Sequence, residues 1–231
     1  MRLLLKISGE AFSDSNVPLA PERFNQVVSE LLLAVNKGVE IAIVVGGGNF
    51  LRGASLENDL LHRVTADQMG MLATLLNGLA LRDALEIQGV KVELMSAFPV
   101  EGVVPAFDYR LAHQALSAKK IVIFAGGTGN PFVTTDSAAS LRAIEIGASA
   151  LLKATKVDGV FDRDPARFPE AKRYDKLSFT EVLQKELAVM DLAAFCQCRD
   201  YDIDIRVFNL FKPGALSRVL LGEDEGTLVS N

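Results

Sequence analysis

This sequence has few of the residues that disulfide, zinc or histidine chemistry would need. There are two cysteines, Cys196 and Cys198. They stand two apart, too close for an ordinary disulfide, and no second pair exists to complete a zinc site. They read as two small side chains on a helix, and such cysteine usage suits a cytosolic protein. The two histidines, His62 and His113, have no partners that suggest a triad or a metal, and read as structural or surface residues. Basic excess is also missing. The formal charge is -5 and the pI is near 5.2, whereas a generic nucleic-acid binder is usually basic. Any anionic ligand must then meet positive potential that is gathered locally.

Long apolar runs are absent as well. Leu3-Leu4-Leu5 is cut short by Lys6, so no signal-peptide core is visible, and no run is long enough to span a bilayer. No low-complexity tract, proline-rich linker or internal repeat stands out. No Gly-x-x-x-x-Gly-Lys-Ser/Thr loop is present, which excludes a P-loop enzyme. No Gly-x-Gly-x-x-Gly follows the first strand, no Gly-x-Ser-x-Gly elbow occurs, and the protein-kinase motif set is missing.

What is present is an ordinary soluble globular composition, 49% apolar and 23% charged over 231 residues. That length can bury a core without staples, and it reads as one domain over residues 1–231. Strands are expected at Arg2–Ser8, Val39–Val45, Val90–Met95, Lys120–Ala125, Ala148–Lys153, Ile205–Phe208 and Thr227–Val229. Helices are expected from Pro21 to Gly38, over about Thr65–Gln88, over Asp108–Ala118, from a cap at Thr135 or Asp136 to Ile146, through Phe179–Arg199, and from Pro213. In the second helix the apolar stripe is read as Met69, Leu72, Leu76, Leu79 and Leu85, rich enough to serve core or interface, with core as the default role. Strands apolar on both faces, alternating with helices, predict a three-layer αβα sandwich around a mainly parallel sheet.

In such sheets ligands bind beyond the carboxyl ends of the strands. Those ends share one character here. The first strand ends in Lys6-Ile7-Ser8-Gly9, the second in Gly46-Gly47-Gly48-Asn49, the fourth in Gly126-Gly127-Thr128-Gly129, and the fifth leads into Lys153-Ala154-Thr155-Lys156. Glycine lets backbone N–H groups approach an anion, and helix N-termini add oriented donors. Hydroxyls of Thr128, Thr134 and Thr135 can add bonds, and Lys6, Arg52, Lys153 and Lys156 can supply charge. Asp136, Asp158 and Asp164 can orient lysines or help hold magnesium. Each element alone has a bland reading as a turn or a solvated side chain, and Arg63 with Asp67 reads as an exposed ion pair at helical spacing. Together they predict a polyphosphate-type ligand bound without a P-loop.

The segments Lys6-Ile-Ser-Gly-Glu-Ala11, Gly46-Gly-Gly-Asn49 with Arg52-Gly53, and Asp67-Gln-Met-Gly-Met-Leu-Ala73 resemble the bacterial uridylate (UMP) kinases. So do Thr128-Gly-Asn-Pro-Phe-Val-Thr-Thr-Asp136, Lys153-Ala-Thr-Lys-Val-Asp-Gly-Val-Phe161 and Arg206-Val-Phe-Asn209, in order along nearly the whole chain. The resemblance implies the amino-acid kinase fold and the reaction of ATP with UMP to give ADP and UDP in pyrimidine nucleotide synthesis. It implies Mg2+ carried with ATP and a homohexamer; no protein metal ligand is assigned, and composition and hydropathy add a cytoplasmic location with no nucleic-acid or membrane partner. By similarity, Lys6, Ile7, Ser8, Gly9, Gly48, Arg52, Thr155, Phe161 and Asp164 bind ATP, with Phe161 against the adenine. Gly47, Asp67, Thr128, Gly129, Asn130, Pro131, Phe132, Val133, Thr134 and Thr135 bind UMP. Lys6, Arg52, Asp136 and Lys153 carry the phosphoryl transfer.

One segment departs from that pattern. Many members have a glycine-rich acidic loop after Ser-Gly-Glu-Ala, tied to activation by GTP. Here Phe12-Ser-Asp-Ser-Asn-Val-Pro18 has no glycine and looks shorter. GTP activation is therefore not carried over, while inhibition by UTP in the UMP pocket is. Two rival readings are a superfamily kinase for another acceptor and a non-catalytic nucleotide-binding or storage protein on the same fold. Asp67 and the Thr128–Thr135 segment argue against the first. The presence of Lys6, Arg52 and Asp136 argues against the second.

Overall fold

Eight strands form one sheet in the order β3-β4-β2-β1-β5-β7-β8-β6 among the described residues of a computed structural model, which are 1–14, 17–35, 37–51 and 61–231. Along the chain these elements run β1 (Arg2–Ile7), α1 (Pro21–Val35), β2 (Glu40–Val45), α2 (Arg63–Ile87), β3 (Val92–Ser96), α3 (Tyr109–Ser117), β4 (Ile121–Ala125) and α4 (Thr135–Ile146). They continue as β5 (Ala150–Thr155), β6 (Lys176–Ser178), α5 (Phe179–Gln184), α6 (Leu192–Asp200), β7 (Asp204–Asn209), α7 (Ala215–Leu220) and β8 (Thr227–Ser230). Every strand pairing is parallel except β7 with β8.

Side-chain alternation along β1 divides the core in two. Leu3, Leu5 and Ile7 pack with Val27 and Leu31 of α1, Leu81 and Leu85 of α2, and Leu216 of α7. Leu4 points to the opposite face, with Ala112 of α3, Ala139 and Ala143 of α4, Val182 of α5 and Phe195 of α6. The sheet is therefore covered on both sides, which is why its strands are apolar throughout. Helix α4 presents Ala138, Ala139, Ser140 and Ala143 as buried residues, and these small side chains let it lie close to β1.

The helices expected between Phe179 and Arg199 are α5 and α6, separated by residues 185–191. Two sequence expectations change. Strand β6 was not expected, because three residues, Lys-Leu-Ser, carry too little pattern. The cap of α4 is Thr134 rather than Thr135 or Asp136: its hydroxyl accepts from the backbone N–H groups of Asp136 at 3.0 Å and Ser137 at 3.4 Å.

The apolar stripe of α2 is also displaced. Ala66, Ala73, Leu75, Gly78, Leu81 and Leu85 are buried, while Leu72 and Leu76 are about half exposed (51% and 49%). Gly78 lies on the packed face, where a Cβ would meet Leu94 Cδ1 at 3.0 Å and Ala125 Cβ at 3.4 Å. Remaining strand and helix boundaries differ from the sequence reading by at most three residues, close to the usual ambiguity of element ends.

Candidate active site

Strands β4, β2, β1 and β5 are adjacent and parallel, so their carboxyl ends lie together along one edge. Those are the four strand ends that carry the Gly, Ser, Thr and Lys motifs. Lys6 on β1 and Lys153 on β5 are register partners and point to the α4 side of the sheet. Asp136, in the first turn of α4, meets both. Its Oδ1 is 3.0 Å from Lys6 Nζ, an ion-pair contact without hydrogen-bond alignment. Its Oδ2 accepts from Lys153 Nζ at 2.8 Å. Lys153 also donates to the Val189 carbonyl at 2.6 Å.

Burial opposes the charge of Asp136, but Lys6 and then Lys153 outweigh it and hold the carboxyl below the ordinary range. Burial also pushes Lys153 below the usual lysine value; the Asp136 charge offsets part of this and Lys6 adds repulsion. Two ammonium groups are thus held side by side in a poorly solvated place by one carboxylate, a concentrated positive site in an acidic protein.

On one side lies a hollow of about 450 Å³ lined by Lys153, Thr155, Gly159, Phe161, Asp164 and Val189, among others. Phe161 is partly buried against it, while Asp164 is exposed, accepts from the Ala166 N–H at 2.9 Å and pairs with Arg167 at 3.5 Å. Asp158 lies nearby and accepts from Asn209 Nδ2 at 2.9 Å. A smaller hollow of about 260 Å³ brings Lys6, Ser8, Lys153, Thr155 and Lys156 together. Ile7 is fully buried in the core, so only its backbone can face a ligand. Gly9 is packed against the glycine loop, where a Cβ would meet Gly48 N at 2.7 Å. Arg52 lies outside the described residues, as does Gly53.

On the other side a hollow of about 360 Å³ is lined by Gly47, Gly48, Asp67, Gly70, Thr74, Asn130, Val133, Thr134 and Thr135, together with Leu51, Met71 and Gly127. Asp67 does more than pair with Arg63 at 2.9 Å. Its Oδ2 also accepts from the Phe132 N–H at 2.8 Å, tying α2 to the loop between β4 and α4. Phe132 has φ 66, and the Arg63 guanidinium lies 5.6 Å from its ring. Thr128, Gly129, Pro131 and Phe132 belong to this loop without lining the hollow; the Thr128 hydroxyl accepts from the Asn130 N–H at 3.2 Å. Gly126, at φ 77, cannot carry a side chain, because a Cβ would meet Ser96 Oγ at 2.6 Å and Ala97 N at 3.0 Å.

Some residues at the site had no visible role in the sequence. Asp191 caps α6 by accepting from the Ala194 N–H at 2.8 Å, and it also accepts from the hydroxyls of Thr134 and of Ser137, the latter at 3.0 Å. Its place before Leu-Ala-Ala was a signal for the cap and not for the bond to α4. The Val189 carbonyl and the Thr74 hydroxyl, which accepts from the Gly126 N–H at 2.6 Å, gave no signal. His113 does act structurally: its Nδ1 lies 2.7 Å from Arg2 Nη1, far from this edge at the start of β1. Cys198 is buried on α6, and its thiol is pushed up to about 12 by burial and then by the charges of Asp136 and Asp191.

Known proteins resemble this chain in sequence and in fold. The model of the Amino acid kinase family matches residues 1–209. The uridylate kinase of Coxiella burnetii is 56% identical over 229 residues, covering 99% of this chain and 94% of that protein. The crystal structure of UMP kinase from Bacillus anthracis superposes with a TM-score of 0.96 at 40% identity, over 99% of this chain and 95% of that one. That of UMP kinase from Ureaplasma parvum superposes with a TM-score of 0.94 at 35% identity, over 100% and 98%.

Proposed function

This chain belongs to the amino acid kinase family, among its uridylate kinases, and from that premise we propose that it transfers the γ-phosphoryl group of ATP to UMP, giving ADP and UDP. The observation that carries the proposal is the pair Lys6 and Lys153, fixed by Asp136 between two hollows at the sheet edge. The Phe161 hollow takes ATP, and the Asp67 hollow takes UMP. The acceptor is a phosphate oxygen that is already anionic, so no strong base is needed to create the nucleophile. The difficulty is repulsion between two anions and charge on the transferring group. Lys6 and Lys153 meet that charge in place, with no reorganisation at the moment of reaction. Asp136 pairs with both lysines and orients them. Arg52 is assigned to the phosphates from the motif alone.

Mg2+ bound with ATP would supply neutralisation of charge on the phosphate oxygens. Among the described residues no three or more His, Cys, Asp or Glu side chains gather as a metal site, and both Asp136 oxygens already face lysines. Reaction in the cytoplasm, within pyrimidine nucleotide synthesis, follows the same reading, as does inhibition by UTP through the UMP hollow. Whether the altered Phe12–Pro18 segment supports activation by GTP is decided by the GTP arm of the assay below. Among the described residues no helix is long and apolar enough to cross a membrane. The outward leucines of α2, Leu72 and Leu76, support a homo-oligomeric assembly, which we take to be a hexamer.

The test is ADP release from Mg-ATP with UMP, CMP, dTMP and AMP supplied in parallel, repeated for the active acceptor with UTP and with GTP. Turnover with UMP and inhibition by UTP are expected. ATP binding without turnover on any acceptor would overturn the reading.

A further inference from the structure

Two amides face each other beneath the glycine loop. Asn49 Nδ2 donates to Asn77 Oδ1 at 2.9 Å, and Asn77 Nδ2 donates to Asn49 Oδ1 at 2.7 Å. The second N–H of each goes to a backbone carbonyl: Asn77 to Gly46 at 2.7 Å, and Asn49 to Pro18 at 2.8 Å. A carbonyl can only accept, so these outer bonds fix which end of each amide is nitrogen. All four amide N–H bonds are used. Asn77 is completely buried in the middle of α2, where an unpaired amide would be costly, and Asn49 is partly exposed.

The pair joins three segments: the loop after β2, helix α2, and the approach to α1. The loop itself is held tightly from both sides. A Cβ on Gly9 would strike Gly48 N at 2.7 Å, and a Cβ on Gly47 would strike Gly70 O at 2.7 Å and Thr74 N at 3.0 Å. Gly9 belongs to the donor-side strand end, while Gly70 and Thr74 line the acceptor hollow. Gly47 and Gly48 thus sit between the two substrate positions. Close packing limits how near the loop can come to each wall, and directed hydrogen bonds fix where it lies along them.

We propose that Asn49 and Asn77 are positioning residues for phosphoryl transfer, which hold the Gly47–Gly48 backbone at a set distance between donor and acceptor. This rests on the reaction proposed above. Asn77 cannot touch substrate, so it acts through the loop. A shift of the loop of about 1 Å misaligns the phosphates and lowers turnover more than binding, an effect on the order of 10²-fold at most.

The experiment compares Asn49→Ala, Asn77→Ala and the double variant with the wild-type chain. It reads kcat and KM for both substrates, thermal unfolding, and backbone hydrogen exchange over residues 46–51. Asn49→Ala lies in a partly exposed loop and tests the idea even if Asn77→Ala does not fold. The expected result is a kcat at least about tenfold lower, KM values changed by less than about threefold, faster exchange at Gly47 and Gly48, and a double variant no worse than the more impaired single one. A kcat within about twofold of wild type, multiplicative losses, or losses that merely track unfolding temperature would overturn the proposal. If the wild-type chain releases no ADP with UMP, the reaction itself has failed. Exchange in Asn49→Ala then decides separately: faster exchange upholds the hold on the loop, and unchanged exchange removes it.

Discussion

Lys6 and Lys153 occupy the same register position on neighbouring parallel strands, so their side chains leave one face of the sheet together. Two like charges placed this way repel. Asp136 reaches both, at 3.0 Å and 2.8 Å, and makes the arrangement tolerable. The charge is concentrated by strand register and balanced by the first turn of a helix.

Replacing Lys6 by Ala removes one of the two positive charges without opening the apolar core. Turnover with UMP is expected to fall by about 10²–10³-fold, with the thermal melt near that of the wild type. Steady-state kinetics alongside circular dichroism will check it. Unchanged turnover would sink the assignment of Lys6.

Replacing Asp136 by Asn leaves two buried ammonium groups facing each other. Both stability and turnover are expected to fall. The pH dependence has a definite sign. The native carboxyl titrates below its ordinary value of 3.8, so its stabilisation is complete above 3.8 and is lost as pH falls below that. The stability gap between wild type and Asp136→Asn should therefore narrow through that acid window. Urea unfolding of both proteins across pH will show it; a gap independent of pH would contradict the assignment.

The Cys198 thiol gives the opposite limb. Its native value is about 12 against an ordinary 9.0, so the stabilisation is fully present below 9.0 and lost as pH rises toward 12. The slope is at most about 1.4 kcal/mol per pH unit. The stability difference between wild type and Cys198→Ala, followed by denaturant melts from neutral to alkaline pH, should shrink above 9.0.

Asp67 holds the Phe132 N–H and lines the hollow proposed for UMP. Asp67→Asn is expected to raise KM for UMP by about tenfold while leaving KM for ATP nearly unchanged, because a charge-assisted bond becomes a neutral one. A rise confined to ATP would reassign the hollow.

Leu76 is 49% exposed on the outer face of α2. If copies of the chain associate through that face, Leu76→Glu should lower the molar mass measured by light scattering. A mass equal to that of the wild type would place the contact elsewhere.

Period and punctuation in the sequence determined the layered sheet, because strands apolar on both faces can be stable only between helices. They also determined that Lys6, Gly47, Thr135 and Lys153 lie near strand or helix ends. Local chemistry suffices there, since a glycine run after an apolar strand carries its own meaning. Other features depended on through-space neighbours. Nothing in the sequence around Asp136 shows that it meets Lys6, which lies 130 residues earlier, because the distance closes only when α4 packs across β1. Helical spacing made core the default for Leu72 and Leu76, yet α2 packs on the sheet through Gly78, close to Leu94, and both leucines lie half exposed. Asn49 and Asn77 are unremarkable in sequence, and their mutual bonds exist only because α2 lies beneath the glycine loop. The sequence by itself set which residues could bind phosphate. Tertiary packing decided which of them share a charge, because ion pairs and buried amides depend on distances between segments that the chain does not join.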